Sequence, residues 1–103
     1  MKHFLIKYTF TTGSEEEWHK DVARFIAALE SDPVLKGKIA YRCMKNAGGT
    51  DYYHLASVED DQAVKALQER DFFKTYTERT EVVGGGAVDV LPLSVIAQTA
   101  LAV

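Results

Sequence analysis

Two basic side chains, Arg42 and His54, lie in stretches that alternate like β-strands on either side of a glycine-containing turn. An imidazole titrates near neutrality, so His54 can serve as a base or a hydrogen-bond donor. A guanidinium beside it would hold the negative charge that collects on a phenolate or enolate. The structural reading of the same pair is a polar contact at a sheet end or between two copies of the chain. Alternation puts the two on adjacent strands and, on this reading, on one open sheet face. Tyr8, Tyr41 and Tyr52 can hydrogen-bond a phenolic ligand, although tyrosines at such positions commonly serve as core bodies with a wet tip. Trp18 belongs to an apolar helical stripe, where core packing is the commoner use and lining a pocket mouth the sharper one. Phe72, Phe73 and Tyr76 either wall an aromatic-ligand cavity or pack a helix onto a sheet.

Other chemistries find little support. His3, His19 and His54 show no metal-ligand spacing, so no metal site is expected. The single cysteine, Cys43, shares strand parity with Ile39 and Tyr41 and reads as a buried, inert thiol. It allows no internal disulfide and fits a reducing compartment. The glycines at 48–49 and 84–86 form neither a dinucleotide fingerprint nor a phosphate loop. Asn46 reads as a turn residue, and Glu59, Asp60 and Asp61 suit a helix N-terminus rather than a metal. The net charge of −3 with scattered basic residues argues against a nucleic-acid partner. The opening MKHFLIKYTF is too short an apolar run, broken by Lys7, for a secretory leader, and no run reaches membrane-spanning length. A soluble cytoplasmic protein is the expectation.

The elements that must position these groups follow in order. With 103 residues, 47% hydrophobic and 26% charged, the chain reads as one ordinary globular domain, 1–103, with a small core. His3–Phe10 alternates with period two, Phe4, Ile6, Tyr8 and Phe10 forming the apolar face that should meet helices. Ser14 with Glu17 three residues on is a capping box, opening a helix to about Glu30 whose stripe is Trp18, Val22, Phe25, Ile26 and Leu29. Asp32-Pro33 ends it. Lys38–Asn46 and Tyr52–Val58 read as a hairpin across Ala47-Gly48-Gly49. A helical region follows in two pieces, the second beginning at Asp71, and Gly84-Gly85-Gly86 breaks it. Ala87–Leu91 is the fourth strand, stopped or placed at an edge by Pro92. The order β-α-β-β-α-β predicts an α+β, ferredoxin-like antiparallel sheet with its helices on one face. The open face is too apolar to stay bare, and residues 93–103 are apolar as well. A homodimer with sheets packed face to face and tails at the interface is therefore expected.

The opening strand HFLIKYTF, the Trp18–Leu29 helix and above all YYHLASVEDDQAVKALQERDFFKTYTE resemble the dimeric α+β barrel proteins. Within that group the chain is most similar to the antibiotic biosynthesis monooxygenases, and the likeness covers nearly the whole chain. The resemblance implies a small dimer with an apolar cavity between sheet and helices. It also implies oxidation of an aromatic or phenolic, polyketide-like molecule by O2 without flavin, haem or metal. His54 and Arg42 would then be the catalytic pair, with Tyr8, Trp18, Tyr52, Phe72, Phe73 and Tyr76 holding the substrate. A haem-degrading branch of the group uses a histidine on the second helical region, and between Asp60 and Glu81 this chain has none. The alternatives are a small-molecule binder without catalysis and a lactone or dienone isomerase using the same pocket.

Overall fold

The structure is a computed structural model that describes residues 1–101. Seven elements run in the order β1 (Lys2–Thr9), α1 (Glu15–Ser31), β2 (Ile39–Lys45), β3 (Asp51–Val58), α2 (Asp61–Gln68), α3 (Asp71–Val83) and β4 (Asp89–Leu93). The four strands form one sheet in the order β2-β3-β1-β4, with all three neighbouring pairs antiparallel. This is the expected ferredoxin-like arrangement.

Two of the three helices, α1 and α2, start at a side-chain cap, and α3 follows Arg70 without one. The Ser14 side chain accepts the Glu17 amide, and three acidic residues fill the first turn of α1. Asp60 accepts the Ala63 amide at the head of α2. Asp32 ends α1 and accepts the amides of Val34 and Leu35 while holding Arg70, with Nε to Oδ2 at 2.7 Å. That ion pair fastens the α1 exit to the joint between α2 and α3. It also holds the Asp32 carboxyl down at about 2, with the Arg70 hydrogen bond the largest cause.

The helices cover one face of the sheet. Trp18, Val22, Phe25 and Leu29 of α1 are buried against Tyr8 of β1 and Tyr52 of β3, with Leu35 and Tyr76 completing the core. Phe25 and Tyr76 stack face to face at 3.8 Å between centroids, joining α1 to α3. Burying such aromatic bodies is the chief stabilising term, and Phe25→Ala should cost about 3–5 kcal/mol. Gly84 permits the close approach of the α3 terminus to β1. A Cβ there would lie 2.9 Å from Val88 Cγ2 and 3.1 Å from Tyr8 Cβ.

Of the two expectations for Pro92, the edge position is the one observed, and another expectation is corrected. The fourth strand runs through Pro92 to Leu93, with Pro92 opposite Phe4. As the edge strand it can carry a residue with no N–H on its unpaired side. More consequentially, Arg42 and His54 lie on opposite faces. Arg42 is the register partner of Leu55, and His54 is the partner of Cys43. Partners across a ladder share a face, so His54 stands with Cys43, Tyr41 and Ile39 under the helices, while the exposed Arg42 is on the open face.

That open face also carries Leu5, Tyr53 and Leu55, with Met44, Leu91 and Leu93 exposed beside them. Residues 94–101 extend beyond β4 without helix or strand, and Val95, Ile96 and Leu101 are exposed. Residues 102 and 103 of the expected interface tail lie outside the described residues. No helix among the described residues is long and apolar enough to cross a membrane.

Candidate functional site

Between the covered face of the sheet and the α2–α3 region lies a cavity of ≈ 230 Å³. Its floor is Phe4, Ile6, Ile39, Tyr41, His54 and Val58; Leu67 of α2 and Phe73, Tyr76 and Thr80 of α3 form the roof. The lining is overwhelmingly apolar, as strand alternation and the helix stripes dictate. Gln68, Thr77 and Glu81 also line it and are solvent-exposed, so they mark the mouth.

At the closed end three polar side chains converge. His54 Nδ1 lies within hydrogen-bonding distance of the Tyr41 hydroxyl and 3.0 Å from that of Tyr76, and the two hydroxyls are 2.9 Å apart. On its other side, His54 Nε2 is 2.7 Å from the Tyr8 hydroxyl and 3.3 Å from Cys43 Sγ. Trp18 Nε1 donates to the same Tyr8 oxygen at 2.7 Å. The imidazole is 0% exposed although it borders the cavity, and its Nδ1 is engaged by both tyrosine hydroxyls.

Burial sets the charge state of the cluster. Desolvation pulls the His54 imidazolium down to about 4, so the ring is neutral near pH 7. Desolvation pushes the hydroxyls of Tyr8, Tyr41 and Tyr76 well above the usual phenol range, leaving them protonated donors. The Cys43 thiol is raised by the same cause to about 11 and stays protonated. The cluster is therefore neutral and rich in hydrogen-bond donors, in an apolar surround where such donors act strongly on charge that develops beside them.

The expected site residues divide. His54, Phe73 and Tyr76 line the cavity. Tyr8 and Trp18 are buried behind it and reach it through the hydrogen-bond chain to His54, Trp18 also stacking on Tyr76 at 5.5 Å. Phe72 packs on Phe25 rather than lining the cavity. Tyr52 stacks on Tyr8 but sends its hydroxyl the other way, to the Glu15 carboxylate and His19 Nε2. Lys45 joins Glu15 there at 2.8 Å. Arg42, on the opposite face, is outside the cavity.

Tyr41 has a larger part than sequence reasoning gave it, and Phe25, Thr80 and Glu81 were not singled out as lining. The signal for Tyr41 was its parity with Cys43 and Ile39, which marks the face toward the helices. Among the described residues no group of three or more His, Cys, Asp or Glu side chains is placed to hold a metal ion.

The architecture that carries this site recurs in solved structures. SnoaB from Streptomyces nogalater, a cofactor-independent oxygenase solved as an N63A mutant, superposes with a TM-score of 0.78, covering 97% of each chain at 14% identity. A structure described as an antibiotic biosynthesis monooxygenase matches with a TM-score of 0.76 over 94% of this chain and 100% of that one, at 8% identity. Rv0793 from Mycobacterium tuberculosis gives 0.75 over 96% of this chain and 98% of that one, at 9% identity. The chain thus has the fold of the antibiotic biosynthesis monooxygenases, as its sequence resemblance implied. No protein-family model matches the sequence, and no curated protein does.

Proposed function

We propose that this protein is a cofactor-independent monooxygenase that oxidises an aromatic or phenolic small molecule with O2 in the cavity between sheet and helices. The observation that carries the reading is the apolar cavity closed at one end by Tyr41, Tyr76 and the neutral His54. A ring system fits the apolar walls. The hydroxyls meet the oxygen on which negative charge collects when the substrate gives its acidic proton to water at the cavity mouth and becomes an enolate. Such an anion can give an electron to O2 itself. Converting a ring CH2 to C=O removes four electrons, the number that reduces O2 to one carbonyl oxygen and one water, so no external reductant is required. The full burial of His54 makes its role donation through the tyrosines rather than direct proton abstraction.

The apolar open face, Leu5, Leu55, Leu91 and Leu93, supports pairing of two copies through their sheets. The cavity lies on the other face, so each copy would hold a whole site.

The same burial of His54 favours a second reading, a binder that holds such a molecule without oxidising it. Oxygen uptake by chelator-treated protein with a panel of anthrones and dihydroquinones tests the first reading. Uptake above the uncatalysed rate, with a quinone as product, is expected. Binding without uptake would move the assignment to the binder, and an isomerised product without uptake to an isomerase.

A further inference from the structure

Hydrogen-bond bookkeeping around His54 has only one solution in which the hydroxyl proton left without a protein acceptor faces the cavity rather than the sealed core. The Trp18 indole nitrogen can only donate, and it donates to the Tyr8 oxygen. The Tyr8 hydroxyl has one proton of its own and one further partner, His54 Nε2 at 2.7 Å. If Nε2 carried the imidazole proton, the Tyr8 oxygen would accept twice and its own proton would have no acceptor in a buried site. With Nε2 bare, Tyr8 donates to its one lone pair, and the protonated Cys43 thiol at 3.3 Å can only share that acceptor weakly.

The neutral imidazole then carries its proton on Nδ1, which faces Tyr41 and Tyr76. Nδ1–H, Tyr41 O–H and Tyr76 O–H are three protons with two oxygens among them and no bare nitrogen. One hydroxyl donates to the other across 2.9 Å, and the second hydroxyl's proton is left over. Both tyrosines line the cavity, so that proton is presented to whatever occupies it.

We infer that the chain from Trp18 through Tyr8 to His54 has a fixed direction, with Trp18 and Tyr8 as positioning residues, and that the cavity consequently takes ligands whose buried atom is an oxygen acceptor. The acceptor is either neutral, as in an aryl ketone or a phenol oxygen, or anionic, as in an enolate; a ligand whose only polar group is an N–H meets a donor and gains no hydrogen bond. The inference rests on the cavity being a ligand site but not on any turnover there.

Two measurements on the full chain test it. The first is long-range 1H–15N correlation of histidine-labelled protein at pH 7, which reads the tautomer directly. His54 is expected with Nδ1 protonated and Nε2 bare; a protonated Nε2 would overturn the direction of the chain. Trp18→Phe keeps an aromatic ring, though a smaller one, and removes the N–H; it should turn the single tautomer into a mixture, whereas a purely packing role for Trp18 would leave it unchanged. Should that variant not fold, the wild-type assignment still decides.

The second measurement is binding of three near-isosteric tricyclics: fluorenone, which accepts; carbazole, which donates; and fluorene, which does neither. Fluorenone should bind about tenfold tighter than fluorene, the effect of one hydrogen bond, and carbazole no tighter than fluorene. The fluorenone preference should vanish in the Tyr41→Phe, Tyr76→Phe double variant. Carbazole binding best, or no binding by any of the three, would overturn the ligand class. Protein that selects fluorenone yet consumes no oxygen with any anthrone would keep this inference and lose the oxygenase.

Discussion

Cys43 stands directly opposite His54 across the β2–β3 ladder, and this one register decides where the chemistry can be. It turns the imidazole under the helices and leaves Arg42, one residue away on the same strand as Cys43, on the other face. The candidate site is accordingly His54 with Tyr41 and Tyr76, backed by Tyr8 and Trp18, and not an Arg–His pair.

The first prediction separates these alternatives. Tyr41→Phe and Tyr76→Phe each remove one donor from the closed end of the cavity and should lower kcat for oxygen uptake about 10- to 100-fold. Arg42→Ala should change kcat by less than about twofold. Folding is checked by far-UV circular dichroism in each case. An Arg42→Ala loss as large as those of the tyrosine variants would restore the open face as the site.

The second concerns pH. His54 is neutral in the fold, with its proton affinity lowered to about 4 by desolvation, against about 6.5 in an unfolded chain. Between those values the unfolded state binds the proton first, so stability falls as pH drops from about 6.5 to 4. The integrated loss is about 3 kcal/mol. Urea midpoints measured across this range should fall in the wild type and fall much less in a folded His54→Gln variant. A flat wild-type profile would show that the imidazole is not desolvated. The Asp32 contribution, whose folded value is held at about 2 by Arg70, is lost only at lower pH and does not confuse the window.

Much of this was legible in the sequence, for physical reasons that particular residues show. Phe4, Ile6 and Tyr8 form an unbroken apolar face, so the side of β1 that meets the helices was unambiguous. The Ser14–Glu17 box and Asp71 marked helix starts that the structure reproduces, with α1 opening at Glu15 and α3 at Asp71. The pairing of β2 with β3 was not legible in the same way. Both faces of β2 mix polar and apolar residues, and the face of each residue relative to β3 depends on the number of residues spent in the turn. Lys45 pairs with Tyr52, and a shift of one residue would have put Arg42 beside His54. A buried histidine on the face of Tyr52, Ala56 and Val58 was the available clue, since those three are the more apolar set of β3.

A third prediction follows from the contact of Gly84 with β1. Gly84→Ala places a methyl carbon 2.9 Å from Val88 and 3.1 Å from the Tyr8 Cβ. Relief requires movement of β1 or of the α3 terminus, and overpacking of this kind costs about 1–3 kcal/mol. The lowered midpoint in urea should come with a change in near-ultraviolet circular dichroism, because Tyr8 is packed edge-on to Trp18 at 6.3 Å. An unchanged midpoint would mean that the neighbours yield without strain.

A fourth addresses assembly. If two copies pair through the open sheet faces, Leu55→Glu puts two charges into a desolvated contact and should give a folded monomer. Sedimentation velocity of wild type and variant at equal concentration is the check. A wild type that sediments as a monomer at all concentrations would remove the paired-sheet proposal and leave the cavity argument intact.

The most direct test of the central claim is turnover of an anthrone under 18O2 by chelator-treated protein, comparing the wild type with the Tyr41→Phe, Tyr76→Phe double variant. One labelled oxygen in the quinone carbonyl and the other in water, with turnover reduced at least about 100-fold in the double variant, is the predicted result. Label in the product at the same rate with and without the two hydroxyls, or no label above the uncatalysed reaction, would contradict it.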